Sequence, residues 1–486
     1  MKNSLTGFVA ADESRTERRA RRSQGRQLLA ATDAEVRPRP AEFPSPDLPK
    51  AGARIPDNWR GPVSVRPPAH RASTRVLQAA YPFLAGTGAP MQGGVIGEDV
   101  FTRRPYALDP WEAYRAGDVR SFSVAVIGTL GSGKSLFCKV WANRLLSMGR
   151  KIAVPNDPKG EWTWLCRTVA GSTIAVGPGT GTVINPLDAG PARPDLDSAS
   201  HHALILQQRR AVLLGILSIL RGHVPLAAVE HTALDVALEA VLNRVERPTL
   251  GDVLRELETP SKAARELVGD SGRDLFHTMR RLVRGDMAGM FDGQSTVRFD
   301  DAAPMVSVDT SRLRSASPEA RAIMTLITST WIKQAISVPG RGKRVIIHEE
   351  AAIGLLADVT ASGSGLNDKT EQEKLGRHDD VSNWYLFHRI SDLDQLGDKG
   401  SAVREQALGL IADADMRIVF GLKSDTAPKV AEVLGMNETV TRLTLDFEPG
   451  EGLFLVGQKR VAVVRVQPTA AEFAAFKTDT VERSNS

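Results

Sequence analysis

The sequence predicts an α/β fold built on a mostly parallel β-sheet, and three observations support this prediction. A buried strand, a glycine-rich loop and a helix-forming run follow one another at 124–145. Further short apolar runs typical of buried strands recur along the chain, with helical stretches between them. Near the C-terminus, two apolar runs at 452–456 and 461–466 are joined by four residues, which predicts a C-terminal β-hairpin.

The glycine-rich loop reads GTLGSGKS and fits the pattern G-x-x-x-x-G-K-[ST] at every fixed position. The run Val124–Ile127 before it has the length and composition of a buried parallel strand. A strand, this loop and a helix in that order are the context that identifies a phosphate-binding loop. The predicted nucleotide-binding residues are Gly128, Thr129, Leu130, Gly131, Ser132, Gly133, Lys134, Ser135 and Leu136.

The residue types of this loop explain its expected chemistry. Glycines let the backbone turn with its N–H groups pointing inward, and the following helix N-terminus adds a partial positive charge. Lys134 is expected to reach the β- and γ-phosphates, and the Ser135 hydroxyl to bind Mg²⁺. The expected ligands are therefore ATP and Mg²⁺, although no base-reading motif separates ATP from GTP.

The composition places further bounds on the protein. Its 486 residues, 42% hydrophobic and 24% charged, are those of a soluble globular chain with room for two or three domains. The N-terminus lacks the apolar core of a signal peptide, and no uninterrupted apolar run long enough to span a bilayer stands out. Two cysteines favour reduced thiols over a disulfide framework, and a net charge of +5 permits contact with nucleic acid or acidic lipid without requiring it.

Residues 1–75 are predicted to be a disordered basic and proline-rich tail, because proline at this density favours an extended chain over a packed core. Its arginine cluster would contact DNA, acidic lipid or a partner, or would simply be solvated. The clustered arginines are Arg15, Arg18, Arg19, Arg21, Arg22 and Arg26.

Residues 76–194 are predicted to form the first part of the nucleotide-binding domain. A second buried strand at 151–154 ends in NDPKGEW, where Asp157, Lys159 and Glu161 would lie near the phosphates or form a charged turn. Residues 195–285 carry apolar residues at helical spacing and no strand pattern, which predicts an all-helical insertion. Its five histidines lack the spacing of a metal site.

Residues 286–478 are predicted to complete the domain, and 479–486 to form a polar tail. The strand-like run Arg344–His348 ends in Glu349 and Glu350. In a phosphate-binding-loop enzyme, one such carboxylate holds Mg²⁺ and the next polarises the attacking water. We assign the first role to Glu349 and the second to Glu350, and we place His388, at the end of the following strand, as a sensor of the γ-phosphate.

The order of motifs resembles the traffic ATPases of conjugation and type IV secretion, most closely the VirB-four/TraC group in its Gram-positive mobile-element branch. The motifs are GTLGSGKS, NDPKGEW, INPLD, the helical insertion, GDMAGMFDG, IIHEEA, GRHDD, LFHRISDL and EGLFLVG, within 81–478. The resemblance implies a RecA-like P-loop NTPase fold and ATP hydrolysis that powers assembly of, or substrate transfer through, a membrane channel. It also implies a homo-hexamer, channel subunits as partners, and DNA or protein as cargo.

The resemblance assigns roles residue by residue. Glu349 and Glu350 match the family's Asp-Glu pair, and Arg377 matches an arginine associated with hydrolysis across the subunit interface. Glu349 is one methylene longer than the usual Asp, His388 stands where relatives commonly have Gln, and Ala352 stands where the family often has Trp. Only about 120 residues precede the loop, so the family's large membrane-engaging N-terminal domain is expected to be missing.

Two alternative functions remain at this point. A DNA translocase of the coupling-protein or FtsK/HerA kind would use the same fold to move DNA directly. A nucleotide-binding scaffold with little turnover is suggested by Glu349 and His388. In each case the expected location is cytoplasmic, with attachment to the inner face of the cell membrane through partners.

Overall fold

An eleven-stranded mixed β-sheet runs through the part of the chain that the computed structural model describes. That part comprises residues 93–190, 193, 196–222, 224–285, 287–336, 342–349, 380–387, 404, 408–409, 411–458 and 460–476, and for residue 271 the backbone alone. The predictions made for the N-terminal tail, Glu350, Ala352, Arg377, His388 and the C-terminal tail lie outside these residues.

The strands are β1 (Val95–Asp99), β2 (Pro105–Ala107), β3 (Val124–Ile127), β4 (Lys151–Asp157), β5 (Ser172–Ala175), β6 (Met305–Asp309), β7 (Arg344–His348), β8 (Val381–Phe387), β9 (Met416–Phe420), β10 (Glu451–Val456) and β11 (Arg460–Val466). Their order across the sheet is β2-β1-β11-β10-β9-β3-β8-β7-β4-β6-β5.

The helices are α1 (Pro110–Arg115), α2 (Lys134–Ser147), α3 (Thr163–Thr168), α4 (Ser198–Leu220), α5 (Ala228–Leu242), α6 (Leu250–Glu258), α7 (Lys262–Val268), α8 (Ser271–Arg284), α9 (Pro318–Ile336), α10 (Ala427–Leu434), α11 (Glu438–Leu445) and α12 (Ala470–Phe476), with a 3₁₀ turn at Ser311–Leu313.

The strands from β9 to β5 in that order are all parallel, and β10, β11, β1 and β2 continue the sheet antiparallel. The hairpin of β10 and β11 pairs Val456 with Arg460 at its turn and Glu451 with Arg465 at its far end. The predicted fold class, a mostly parallel α/β sheet with a C-terminal hairpin, is therefore confirmed.

Both faces of the parallel strands are buried, which is why these strands read as continuous apolar runs. In β3, Val124 and Val126 pack on one face and Ala125 and Ile127 on the other, as the period of two in a strand requires. The first face is covered by α1, α2, α3 and α12, and the second by α9, α10 and the helices α4–α8.

Helices α4 to α8 occupy Ser198–Arg284, and no strand lies between them among the described residues. Two of these helices begin with a carboxylate that accepts a main-chain hydrogen bond. The Asp197 carboxylate accepts from the Ser200 N–H at 2.7 Å at the start of α4, and the Asp252 carboxylate accepts from the Thr249 N–H at 2.8 Å at the start of α6.

Within the described residues, α4 is the one helix long and apolar enough to cross a membrane by length and composition. In the fold, Val212, Leu213 and Ile216 of α4 are buried in the core shared with α9. On the same helix, Arg209 donates to the Leu187 carbonyl at 2.7 Å. Core helices of globular proteins pass the same test of length and composition.

Candidate functional site

The predicted phosphate-binding loop leaves the sheet at its centre. It follows β3, which lies between β9 and β8 and runs parallel to both. Because ligands of parallel α/β sheets bind beyond the carboxyl ends of the strands, the loop occupies the edge where a ligand is expected.

Hydrogen bonds within the loop and with two neighbouring segments hold the loop in shape. Thr129 donates to the Gly421 carbonyl through its N–H at 3.1 Å and its hydroxyl at 2.9 Å. Ser132 donates to the Thr129 carbonyl through its N–H at 3.2 Å and its hydroxyl at 2.7 Å. The Gly450 N–H donates to the Ser132 carbonyl at 3.0 Å, so the turn before β10 is hydrogen-bonded to the loop.

Two glycines of the loop are required by space and by backbone conformation. A Cβ on Gly128 would lie 2.7 Å from Cβ of Phe420, in β9. Gly133 has φ +98° and its Cβ would lie 2.7 Å from the Gly450 nitrogen. Neither distance is tolerated between these atoms without a shift of the backbone, so the loop has its present shape only with glycine at both positions.

Several main-chain N–H groups of the loop have no acceptor among the residues that the structure describes. The N–H groups of Gly131, Gly133, Ser135 and Leu136 donate to no acceptor in the described part of the chain. Such groups at a helix N-terminus form a site for an anion. The donor set therefore fits a phosphate group, as the sequence predicts.

Lys134 is 4% exposed, and its ammonium donates to the carbonyls of Gly128 at 2.6 Å and Thr129 at 2.9 Å. The Lys134 side chain thus lies along the loop and contacts its main chain.

Ser135, the predicted Mg²⁺ ligand, is half-buried in the first turn of α2. Leu130, at the tip of the loop, is exposed.

The strand that precedes Glu349, β7, is separated from β3 by a single strand. β8 pairs with β3 on one side and with β7 on the other, all three parallel. The carboxyl end of β7 therefore opens at the same edge as the loop. His348 stacks on Tyr385 of β8 with ring centroids 5.0 Å apart, and burial, followed by the charge of Lys333, lowers the pKa of His348 to about 3.

Glu349 is held by a tryptophan from the NDPKGEW motif. The Trp162 indole N–H donates to Glu349 Oε1 at 2.7 Å, and Trp162 is fully buried. The Asp157 carboxylate accepts from the N–H groups of Glu161 at 3.0 Å and Trp162 at 2.8 Å. These bonds stabilise the turn between β4 and α3. The Asp157 carboxylate therefore has a structural role in the turn that follows it.

The same turn is bonded to the helix that follows the phosphate-binding loop. Lys139 of α2 is 1% exposed, and its ammonium donates to Glu161 Oε2 at 2.8 Å. Removing one partner of a buried ion pair usually costs about 3–5 kcal/mol, because the other charge is left without compensation. The pair therefore ties α2 firmly to the turn that carries Trp162.

The acidic groups Glu349, Asp157 and Glu161 lie near the buried Lys139. Burial raises the pKa of Glu349, while the Lys139 charge and the Trp162 hydrogen bond partly oppose that rise. Burial also raises the pKa of Asp157, against the hydrogen bonds from Trp162 and Glu161. A divalent cation beside these carboxylates would favour their charged forms.

Among the described residues, no three His, Cys, Asp or Glu side chains form a group able to hold a metal by themselves. Mg²⁺ is usually bound through one or two carboxylates together with substrate phosphates and water. Ser135 and the Glu349 carboxylate fit that kind of site. Burial, and after it the charge of Glu349, raises the pKa of Cys138, which stands one residue before Lys139 in α2.

The structure places the predicted residues 128–136 and Glu349 at one edge of the sheet, and Glu350, Arg377 and His388 lie outside the described residues. Sequence reasoning missed Lys139, Trp162 and the supporting contacts of Phe420, Gly421 and Gly450. Trp162 is part of the motif quoted above, but its partner is 187 residues away in the chain. No local pattern indicates that pairing.

No protein-family model matches the chain. No curated protein matches it either. Among solved structures, VirB4 of Thermoanaerobacter pseudethanolicus aligns with a TM-score of 0.64 at 20% identity, over 80% of this chain and 99% of that one. At 20% identity this likeness establishes the fold alone. The alignment covers almost the whole of the VirB4 chain.

Two structures of the bacterial conjugative coupling protein TrwB align less closely. The form with sulphate has a TM-score of 0.49 at 14% identity, over 79% of this chain and 96% of that one. The complex with ADP and Mg²⁺ has a TM-score of 0.49 at 13% identity, over 79% and 96%. These values are too low to add to the fold assignment.

Proposed function

We propose that this chain is an ATP-hydrolysing traffic ATPase that powers assembly of, or substrate transfer through, a conjugation or type IV secretion channel. One observation carries the proposal. A glycine-rich loop, four of whose N–H groups have no acceptor among the described residues, and the acidic residue after β7 lie at the same edge of the sheet, one strand apart. The fold shared with VirB4 and the ordered motifs support the choice of this family over other users of the loop.

In this proposal different residues bind the phosphates, hold Mg²⁺ and act on the attacking water. The N–H groups of the loop and Lys134 bind the β- and γ-phosphates, and Ser135 and Glu349 hold Mg²⁺. When bound, Mg²⁺ neutralises charge that develops on the phosphates. Glu350 takes a proton from the attacking water, Arg377 of a neighbouring copy stabilises charge, and His388 senses the γ-phosphate, each as the family resemblance implies.

The wider assembly is proposed on the same basis. The ATPase domain would comprise 76–194 and 286–478, interrupted by the helical insertion 195–285. Six copies would form a ring at the inner face of the cell membrane, attached through channel subunits. The cargo would be DNA or protein.

Steady-state ATP hydrolysis by the purified chain tests the proposal. Lys134→Ala and Glu350→Gln should each lower kcat by about 100-fold or more, because each removes a group aimed at the reacting phosphate or water. Lys262→Ala is the control, since that side chain on α7 is 93% exposed, and its rate should equal that of the wild type.

The outcomes separate the alternatives. Tight nucleotide binding with turnover no faster than that of Glu350→Gln would contradict an ATPase and favour a nucleotide-binding scaffold. Strong stimulation by single- or double-stranded DNA would favour direct DNA translocation. Loss of activity in both site variants without dependence on DNA is the result expected for a channel ATPase.

A further inference from the structure

We propose that Trp162, fixed by Asp157 and by the Lys139–Glu161 pair, is a positioning residue that holds the Glu349 carboxylate for Mg²⁺. This inference deepens the proposed function and rests on it. It concerns how a glutamate is accommodated at a position where the resembling family usually has aspartate.

The argument begins with the hydrogen bond itself. Trp162 donates its single N–H to Glu349 Oε1 at 2.7 Å, whereas the buried Trp141 and Trp384 donate to the Leu108 carbonyl and the Ser382 hydroxyl. Trp162 therefore directs its donor at a carboxylate rather than at a neutral core acceptor. The other oxygen, Oε2, accepts no hydrogen bond from the described part of the chain.

The second step concerns side-chain freedom. Glutamate has one more rotatable bond than aspartate, so its carboxylate takes up more positions and loses more entropy when it is held. A hydrogen bond from a rigid, fully buried indole removes much of that freedom. It leaves Glu349 with one oxygen engaged and one oxygen available to a cation.

The third step connects both sides of the predicted cation site. Lys139 follows Ser135 by four residues, which places the two on one face of α2. Lys139 bonds to Glu161, the neighbour of Trp162, and Asp157 accepts from the N–H groups of both residues of that turn. One short turn thus sets the position of Glu349 relative to the helix that carries Ser135.

The test measures Mg²⁺-dependent binding of a fluorescent ADP analogue to the full chain. Trp162→Phe keeps an aromatic side chain but replaces the indole with a smaller ring that has no N–H donor, so the Mg²⁺ concentration for half-maximal enhancement of binding should rise about 10- to 100-fold. Affinity for the analogue without Mg²⁺ should stay within about twofold, because the phosphate-binding loop is unchanged.

Trp111→Phe is the matched control. Trp111 is 3% exposed in the same core, and its indole N–H has no partner among the described residues. Its replacement removes the same atoms far from the carboxylate, so Mg²⁺ dependence should equal that of the wild type. An equal shift in both variants would mean general loosening of the core and would overturn the inference.

A double-mutant cycle with Glu349→Gln gives the second measurement. If Trp162 acts through Glu349, Trp162→Phe should add less than twofold in the Glu349→Gln background. Full additivity, or wild-type Mg²⁺ dependence in Trp162→Phe, overturns this inference alone. If Mg²⁺ does not enhance nucleotide binding by the wild type, both this inference and the proposed function fail.

Discussion

At the scale of single residues, the phosphate-binding loop depends on positions where a side chain would collide. Gly133 begins α2 with φ +98°, and the Gly450 backbone leaves no space for a Cβ. Gly149, just beyond the other end of α2, has φ +77°, and a Cβ added there would meet nothing within 4 Å. Both glycines have a positive φ, but a Cβ would collide with a neighbouring backbone only at Gly133.

We expect Gly133→Ala to abolish binding of the fluorescent ADP analogue, because relieving the collision with Gly450 displaces the N–H donors of the loop. Gly149→Ala should cost about 1 kcal/mol of stability from its backbone conformation and leave the affinity unchanged. Nucleotide titration and urea unfolding of both variants check this. Equal affinities in the two variants would contradict the role assigned to Gly133.

At the scale of elements, α2 is positioned on the sheet by aromatic packing. Trp141 of α2 stacks on Trp384 of β8 with ring centroids 4.0 Å apart, and both residues are fully buried. Phe137 packs edge-on against Phe454 of β10 at 5.4 Å. The loop is thus supported between strands of the parallel core and the C-terminal hairpin.

Trp384→Ala should lower the free energy of unfolding by about 3–5 kcal/mol, because it removes a large buried ring from beneath α2. Trp164→Ala is the comparison, since Trp164 on α3 is 45% exposed and should cost less than half as much. Urea unfolding followed by circular dichroism measures both. Similar losses would mean that the stack on β8 does not anchor α2.

At the scale of the whole molecule, one sheet carries a separate core on each face. Both cysteines of the chain, Cys138 and Cys166, lie in the core on the α2 side and are fully buried. Burial raises the pKa of each thiol. Because the thiolate is the reactive form, a raised pKa and exclusion of solvent both slow its reaction.

We therefore expect neither thiol of the native protein to react with a water-soluble aromatic disulfide at pH 8 on the minute scale. Both thiols should react after unfolding in guanidinium, and absorbance of the released thiolate counts them. Rapid reaction of one equivalent in the native state would show that the core around α2 opens.

Much of the architecture was predictable because its signals are local. The strand before the loop, the loop and α2 are contiguous, and the N–H geometry of such a loop follows from its glycines and the helix start. The parallel strands are buried on both faces, so their apolar runs stand out. The hairpin at Glu451–Val466 was equally visible, with ends within one residue of those predicted.

The sequence by itself thus determined the fold class, the phosphate-binding loop and the acidic strand end, because each depends on neighbours along the chain. Only the tertiary structure decided that β8 separates β3 from β7, that Phe420 and Gly450 enclose the loop, and that Trp162 holds Glu349. Strand order and hydrogen bonds between distant residues arise from packing of the whole sheet. Neither leaves a periodic pattern that a single sequence displays.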